Sequence, residues 1–329
     1  MKCLLLLFGV IAACTASVFR DPVLGYKDGE RFFHFPGYGD ETMHLVNDEK
    51  LALAFNGKFT RNPANNVYWL YTRANPNTPQ VLDNGNAQSV TNSNIDFSKI
   101  TVFIAHGWHE NGLSNTIRML VQAFLLTNDV NVIVLDWRII ANSNYTTAKG
   151  RTAEVGRELG QFVNWLAGLG LSYNRVHLVG FCLGGHLVGN AGRETGSKVQ
   201  RITALSPAGL LWDFDPNRLT PTDARYVEVI HTEITSFGYS GLCGDADFYP
   251  NGGSNMPGCW ITRCSHNRSY EYMASSLKYN HLGAHECGSL SDAINNNCTG
   301  TPLNPMGNNN INKSRAGIFR INTGHNYPF

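Results

Sequence analysis

Residues 176–190, Val-His-Leu-Val-Gly-Phe-Cys-Leu-Gly-Gly-His-Leu-Val-Gly-Asn, constrain the fold more than any other stretch of this chain. Val176 to Val179 is an apolar, β-branched run of the kind that is buried in a sheet, and the residues after Gly184 carry a helical pattern. Between them lies Gly180-Phe181-Cys182-Leu183-Gly184. Glycines at both ends of such a pentapeptide let strand and helix approach closely around one strained residue, whose side chain is thrust out at the top of the sheet. The arrangement is that of a nucleophile elbow, with cysteine where serine is usual. Glycine-rich strand-to-helix turns also occur without chemistry, and a buried cysteine often only packs, so the pentapeptide alone leaves both readings open.

The rest of the chain supplies the sheet. Val67 to Thr72, Ile100 to Ala105, Val132 to Asp136, Ile202 to Leu205 and Tyr226 to Ile230 read as strands. Asn115 to Leu126, about 148–169, 183–195 and 264–278 read as helices, the second from Val155, Leu159, Phe162, Val163 and Leu166 at helical spacing. Strand and helix in alternation imply an α/β fold with a mainly parallel sheet and helices on both faces. Catalytic groups of such sheets sit at the carboxyl ends of strands. That rule selects His106 and Trp108, Cys182, Ser206 and Glu233, with His266 near the start of a later helix. Residues 18–66 show no sustained period and read as irregular; 280–314 is rich in Asn and Gly, and 316–322 reads as a closing edge strand.

The first 17 residues, with Lys2, an apolar block from Leu4 to Ala13 and small residues at Cys14 to Ala16, read as a secretory signal peptide. The expected mature protein is then a secreted, extracellular single domain, residues 18–329, with no internal repeat and no transmembrane segment. A formal net charge of +1 offers no field for nucleic acid. Beyond the leader stand Cys182, Cys243, Cys259, Cys264, Cys287 and Cys298, for which an oxidising compartment predicts disulfides, and six cysteines allow about 15 pairings. N-x-S/T sequons at Asn144, Asn267, Asn297 and Asn312 fit a glycoprotein. No group of histidines or cysteines has metal-ligand spacing, so no metal or other cofactor is expected. His106 reads as a brace for its loop, His186 as packing beneath the elbow, and His231 as a structural residue at a strand end.

Several ordered blocks resemble the pancreatic lipase family, especially its single-domain insect members and the wasp-venom type phospholipases A1. They are 102–108, 134–137, the elbow, 201–209, 229–232, 247–253, 256–259 and 264–266. The resemblance implies an α/β-hydrolase fold and hydrolysis of lipid acyl esters, as by triacylglycerol lipases or phospholipases A1. The family's nucleophilic serine falls on Cys182, its catalytic aspartate on Ser206 and its histidine on His266; the oxyanion-hole amides fall on Trp108 and Leu183. Two of the three triad positions are therefore substituted. Family position together with short-range closure pairs Cys259 with Cys264, which bracket the lid position, and Cys287 with Cys298. Only four residues lie between the first pair, too few to cover a mouth, which in this family goes with phospholipase A1 or galactolipase preference. The family's calcium loop falls on residues 215–223, where Thr220 replaces a usual aspartate between Asp215 and Asp223 and weakens the site. No colipase-binding sandwich domain is expected.

A thiol attacks carbonyls well, yet from the tetrahedral adduct with an oxyester the thiolate leaves more readily than the alkoxide. Loss of the orienting carboxylate weighs more, typically about 10⁴-fold or roughly 5.5 kcal/mol. Glu233, at the end of the next strand, is the available substitute acid, against the bland reading of a solvated glutamate. The sequence thus supports a lipase-family protein whose hydrolysis is weak or lost, with a non-catalytic lipid-binding or yolk-type storage protein as the alternative. Cys182 and Cys243 remain outside the two pairs; a bridge would need Cα atoms within about 7 Å, and the expectation is Cys182 packed as a free thiol with Cys243 free or paired between chains.

Overall fold

A computed structural model describes residues 66–329 in full, together with the backbone of two earlier strands, β1 (Phe32–Pro36) and β2 (Met43–Asn47). The chain divides into two units, Met1–Ala54 and Phe55–Phe329. In the first, β1 and β2 pair antiparallel with Phe32 opposite Asn47. The stretch expected to be irregular therefore contains a strand pair, whose alternation is too short to stand out in sequence. The signal segment 1–17 lies outside the described residues.

The second unit is built on β3 (Val67–Tyr71), β4 (Gln80–Leu82), β5 (Thr101–Ala105), β6 (Asn131–Asp136), β7 (Val176–Phe181), β8 (Arg201–Leu205), β9 (Val227–Ile230), β10 (Ala246–Phe248), β11 (Gly283–Cys287), β12 (Asn304–Pro305) and β13 (Gly317–Arg320). Its helices are α1 (Ala87–Thr91), α2 (Asn115–Thr127), α3 (Arg138–Ala141), α4 (Tyr145–Gly168), α5 (Leu183–Glu194), α6 (Thr262–Tyr279) and α7 (Leu290–Asn295). The strands form one sheet in the order β12-β11-β13-β10-β9-β8-β7-β5-β6-β3-β4. From β6 across to β13 neighbours are parallel, and the outer strands β3, β4, β11 and β12 run antiparallel to their neighbours.

Every residue of β5, β6 and β7 is buried, so both faces of the central sheet are covered. Side chains alternate across a strand. Phe103 and Tyr68 therefore meet Phe162 of α4 on one face, while His177 meets Phe124 of α2 on the other. The continuous Val/Ile/Leu runs of these strands match this double burial. The result is an α/β-hydrolase fold, in which β5, β7, β8 and β9 all end at one edge.

One expectation fails. β13, expected at the edge, lies between β10 and β11, because the Asn- and Gly-rich stretch before it contributes β11 and β12 as the outer strands. The Cys287–Cys298 disulfide fastens the end of β11 to the segment just after α7.

Candidate active site

Cys182 sits between β7 and α5 with φ 56° and ψ −119°, a left-handed backbone that an L-residue holds only when its surroundings impose it. The neighbours impose it by close approach. A Cβ on Gly180 would run into the Gly184 carbonyl, and one on Gly184 into the Ala105 carbonyl. The elbow is real, and it presents a thiol.

The loop expected to supply an oxyanion hole, His106-Gly107-Trp108, directly follows β5. The His106 ring faces the Gly107 carbonyl with Nδ1 (3.0 Å), and its Nε2 lies against the Trp137 N–H (3.1 Å) and Asp136 Oδ1 (3.3 Å). The Glu110 carboxylate accepts the Gly107 N–H (2.8 Å), and the Trp108 indole donates to the Ser143 carbonyl (2.9 Å). The Trp108 and Leu183 amides lie near enough to the Cys182 sulfur to favour its thiolate. Although Cys182 keeps some exposure, burial of its sulfur outweighs the Trp108 amide, and with the charge of Glu110 pushes the thiol up to about 12.

His266, 6% exposed, lies in the first turns of α6 between the rings of Phe181 (4.9 Å) and Phe237 (5.8 Å). Its Nδ1 is 2.9 Å from Ser206 Oγ, which stands just beyond β8. Its Nε2 has no hydrogen-bond partner among the described residues. Burial pushes this imidazole down to about 4, only partly offset by the charge of Glu233. The fold therefore sets Ser206 against His266 and places Cys182 at the end of the adjacent strand β7, whose Phe181 packs on the His266 ring, without a hydrogen bond between Cys182 and His266.

Glu233 does not bond His266. Its oxygens are taken by its own loop, from the N–H groups of Thr235 (2.8 Å), Ser236 (3.1 Å), Phe237 (2.6 Å) and Gly238 (3.3 Å) and from the Thr235 hydroxyl. It is also not solvated, being 2% exposed. Despite burial, these donors hold its carboxyl below the usual range. Neither sequence reading of this residue matches the fold, because the turn at 235–238 that captures the carboxylate has no pattern that could be read in advance.

The Lipase family profile matches residues 46–329. The chain belongs to this family. Lipase member H of Oryctolagus cuniculus is 34% identical over 269 residues, covering 78% of this chain and 58% of that protein. Pancreatic triacylglycerol lipase of Myocastor coypus is 35% identical over 263 residues, 71% of this chain and 57% of that protein. Lipase member H-A of Xenopus laevis is 38% identical over 243 residues, 70% and 52%. The chain spans just over half the length of these relatives.

Other residues singled out by sequence have partners away from the elbow thiol. His186 stacks on Trp212 (3.8 Å) beneath the elbow and bonds the Ala208 carbonyl (2.8 Å). In the loop at 215–223, Asp223 accepts from Arg193 Nε (2.6 Å) and from the Thr220 N–H (2.9 Å), and Asp215 pairs with Lys149. Cys259–Cys264 and Cys287–Cys298 are disulfides, and Cys182 and Cys243 are free thiols. Sequence spacing showed no metal-ligand set, yet the fold gathers His231, Cys243 and Asp247 with their donor atoms within 4.8 Å of one another. No helix among the described residues is long and apolar enough to cross a membrane.

Proposed function

We propose that this protein binds lipid acyl esters at the elbow and hydrolyses them weakly or not at all. The observation that carries the reading is the 2.9 Å contact between Ser206 Oγ and His266 Nδ1. In an acyl-hydrolase triad that nitrogen donates to a carboxylate, which can only accept and which balances the imidazolium of the transition state. A hydroxyl can donate or accept and carries no charge, so it fixes neither the tautomer nor the counter-charge.

A lipid ligand is supported by the family and by the site's rim. Leu210, Leu211, Phe237, Trp260 and Ile261 are exposed apolar residues on segments that follow β8 and β9 or lead into α6, the elements that carry Ser206, Glu233 and His266. Trp260 and Ile261 stand in the short loop closed by Cys259–Cys264. The named relatives are a lipase and a triacylglycerol lipase; here the same class of ligand would be held more than turned over. Secretion through the leader at 1–17 is part of this proposal, as is the single lipase-like domain from 18 to 329.

Restoring both groups, Cys182→Ser with Ser206→Asp, tests it. Each single change is expected to leave a short-chain nitrophenyl ester and a fluorogenic phospholipid near background, because triad members act as a unit. The double variant is expected to exceed the wild type by at least about 10³-fold. A folded double variant that stays at the uncatalysed rate would show that the substituted groups are not what limits the site.

A further inference from the structure

His231 directly follows β9, Asp247 is the middle residue of β10, and Cys243 lies in the loop between them. All three are at most 2% exposed. His231 Nδ1 faces the Tyr239 carbonyl at 2.9 Å, and a carbonyl only accepts, so Nδ1 carries the ring proton. The other nitrogen, Nε2, faces Asp247 Oδ1 at 2.9 Å. With a neutral ring and an ionised carboxylate, two lone pairs would point at each other there. A metal ion held between them would satisfy both, as would a proton.

The surroundings suit an ion. Histidine ligands of metals characteristically donate their second N–H to a carbonyl or carboxylate, as His231 does to Tyr239. Tyr249 lies parallel over the His231 ring at 4.3 Å and fixes its plane. Asp247 is oriented by the N–H groups of Cys243 (3.0 Å) and Gly244 (3.2 Å). The Cys243 sulfur completes a set of one N, one O and one S donor within 4.8 Å. Ligation at about 2.0 Å for N and O and about 2.3 Å for S requires these atoms to shift by only tenths of an ångström to an ångström or so.

We propose that His231, Cys243 and Asp247 form a buried site for a divalent ion of the zinc type, separate from the elbow. The S, N and O donor set matches zinc, and a neutral imidazole with one thiolate and one carboxylate balances its charge. Binding replaces the Cys243 thiol proton, so at least one proton leaves for each ion. The ion ties β9, β10 and the intervening loop together. That loop carries Phe237 against His266 and Gly238 beside Ser206 Oγ, so loading the site stiffens one wall of the elbow pocket.

The test uses the full chain, stripped with a chelator and then given zinc or cobalt(II). The wild type is expected to keep one equivalent of zinc through desalting, to melt at a higher temperature with zinc than without, and to show a sulfur-to-cobalt charge-transfer band in the near ultraviolet. Cys182→Ala is expected to keep all three, which excludes the elbow thiol as the source. Cys243→Val, checked for folding by its melting curve in chelator, is expected to lose all three. Apparent affinity should climb by about tenfold per pH unit, the signature of a displaced thiol proton. Folded wild type that retains no ion and shows no band would overturn the proposal, as would equal retention by Cys243→Val, which would place the metal on other histidines. If Cys243→Val does not fold, the band in Cys182→Ala combined with Cys3→Ser and Cys14→Ser decides, since Cys259, Cys264, Cys287 and Cys298 are disulfide-bonded.

Discussion

Ser206 and Cys182 change the proton inventory of the site, and this has a measurable pH signature. The folded state holds His266 at about 4 against 6.5, so between these values the unfolded chain binds more protons and stability falls as pH drops. The full contribution is present above pH 6.5 and is lost on the way down to pH 4, at most about 3 kcal/mol. His186, pushed down to about 3 by burial, acts with the same sign. Cys182 has the opposite sign: raised to about 12, it costs stability as pH climbs above 9. These three groups alone predict no change between about pH 7 and 9 and a loss on both sides, while Lys313, pushed down to about 8 by burial, adds stability as pH rises above 8; comparing melting profiles of wild type and Cys182→Ala isolates the alkaline loss due to the thiol. Carboxamidomethylation of Cys182 by iodoacetamide should likewise be slow at pH 7.5 and quicken steadily above pH 9, because only the thiolate reacts. Fast alkylation at neutral pH would mean that the sulfur is ionised at the elbow.

Among the elements, the strand, elbow and helix at 176–194 owe their geometry to backbone contacts that leave no room for a side chain. Gly180→Ala is expected to cost about 3 kcal/mol or more in urea unfolding, because its Cβ meets the Gly184 carbonyl, which is backbone and cannot swing aside. A loss under 1 kcal/mol would contradict so tight an elbow. The central strands were legible because β5, β6 and β7 are buried on both faces and must be apolar throughout. β10, β11 and β12 were not. They are two to five residues long and carry Asp247, His285, Glu286 and Asn304, so pairing with β9 and β13, not local pattern, makes them strands. The approach of Ser206 to His266 could be anticipated from the ordered blocks. The capture of Glu233 by its own loop, and the meeting of His231 with Cys243 and Asp247, depend on turns that no spacing rule reaches.

Over the molecule as a whole, the chain has the Lipase family's α/β-hydrolase frame, and in the proposed reading the site built on it has a hydroxyl, not a carboxylate, bonded to His266. That reading predicts retention of a ligand with little turnover. The measurement that bears most directly on this account is steady-state hydrolysis by the purified wild-type chain of a short-chain nitrophenyl ester and a fluorogenic phospholipid, each with and without prior alkylation by iodoacetamide at high pH. The account predicts turnover within a few fold of the uncatalysed rate, unchanged by alkylation, with the phospholipid recovered intact in the bound fraction. Turnover orders of magnitude above background that alkylation of Cys182 abolishes would contradict it, and would make the thiol and His266 a working pair without a carboxylate.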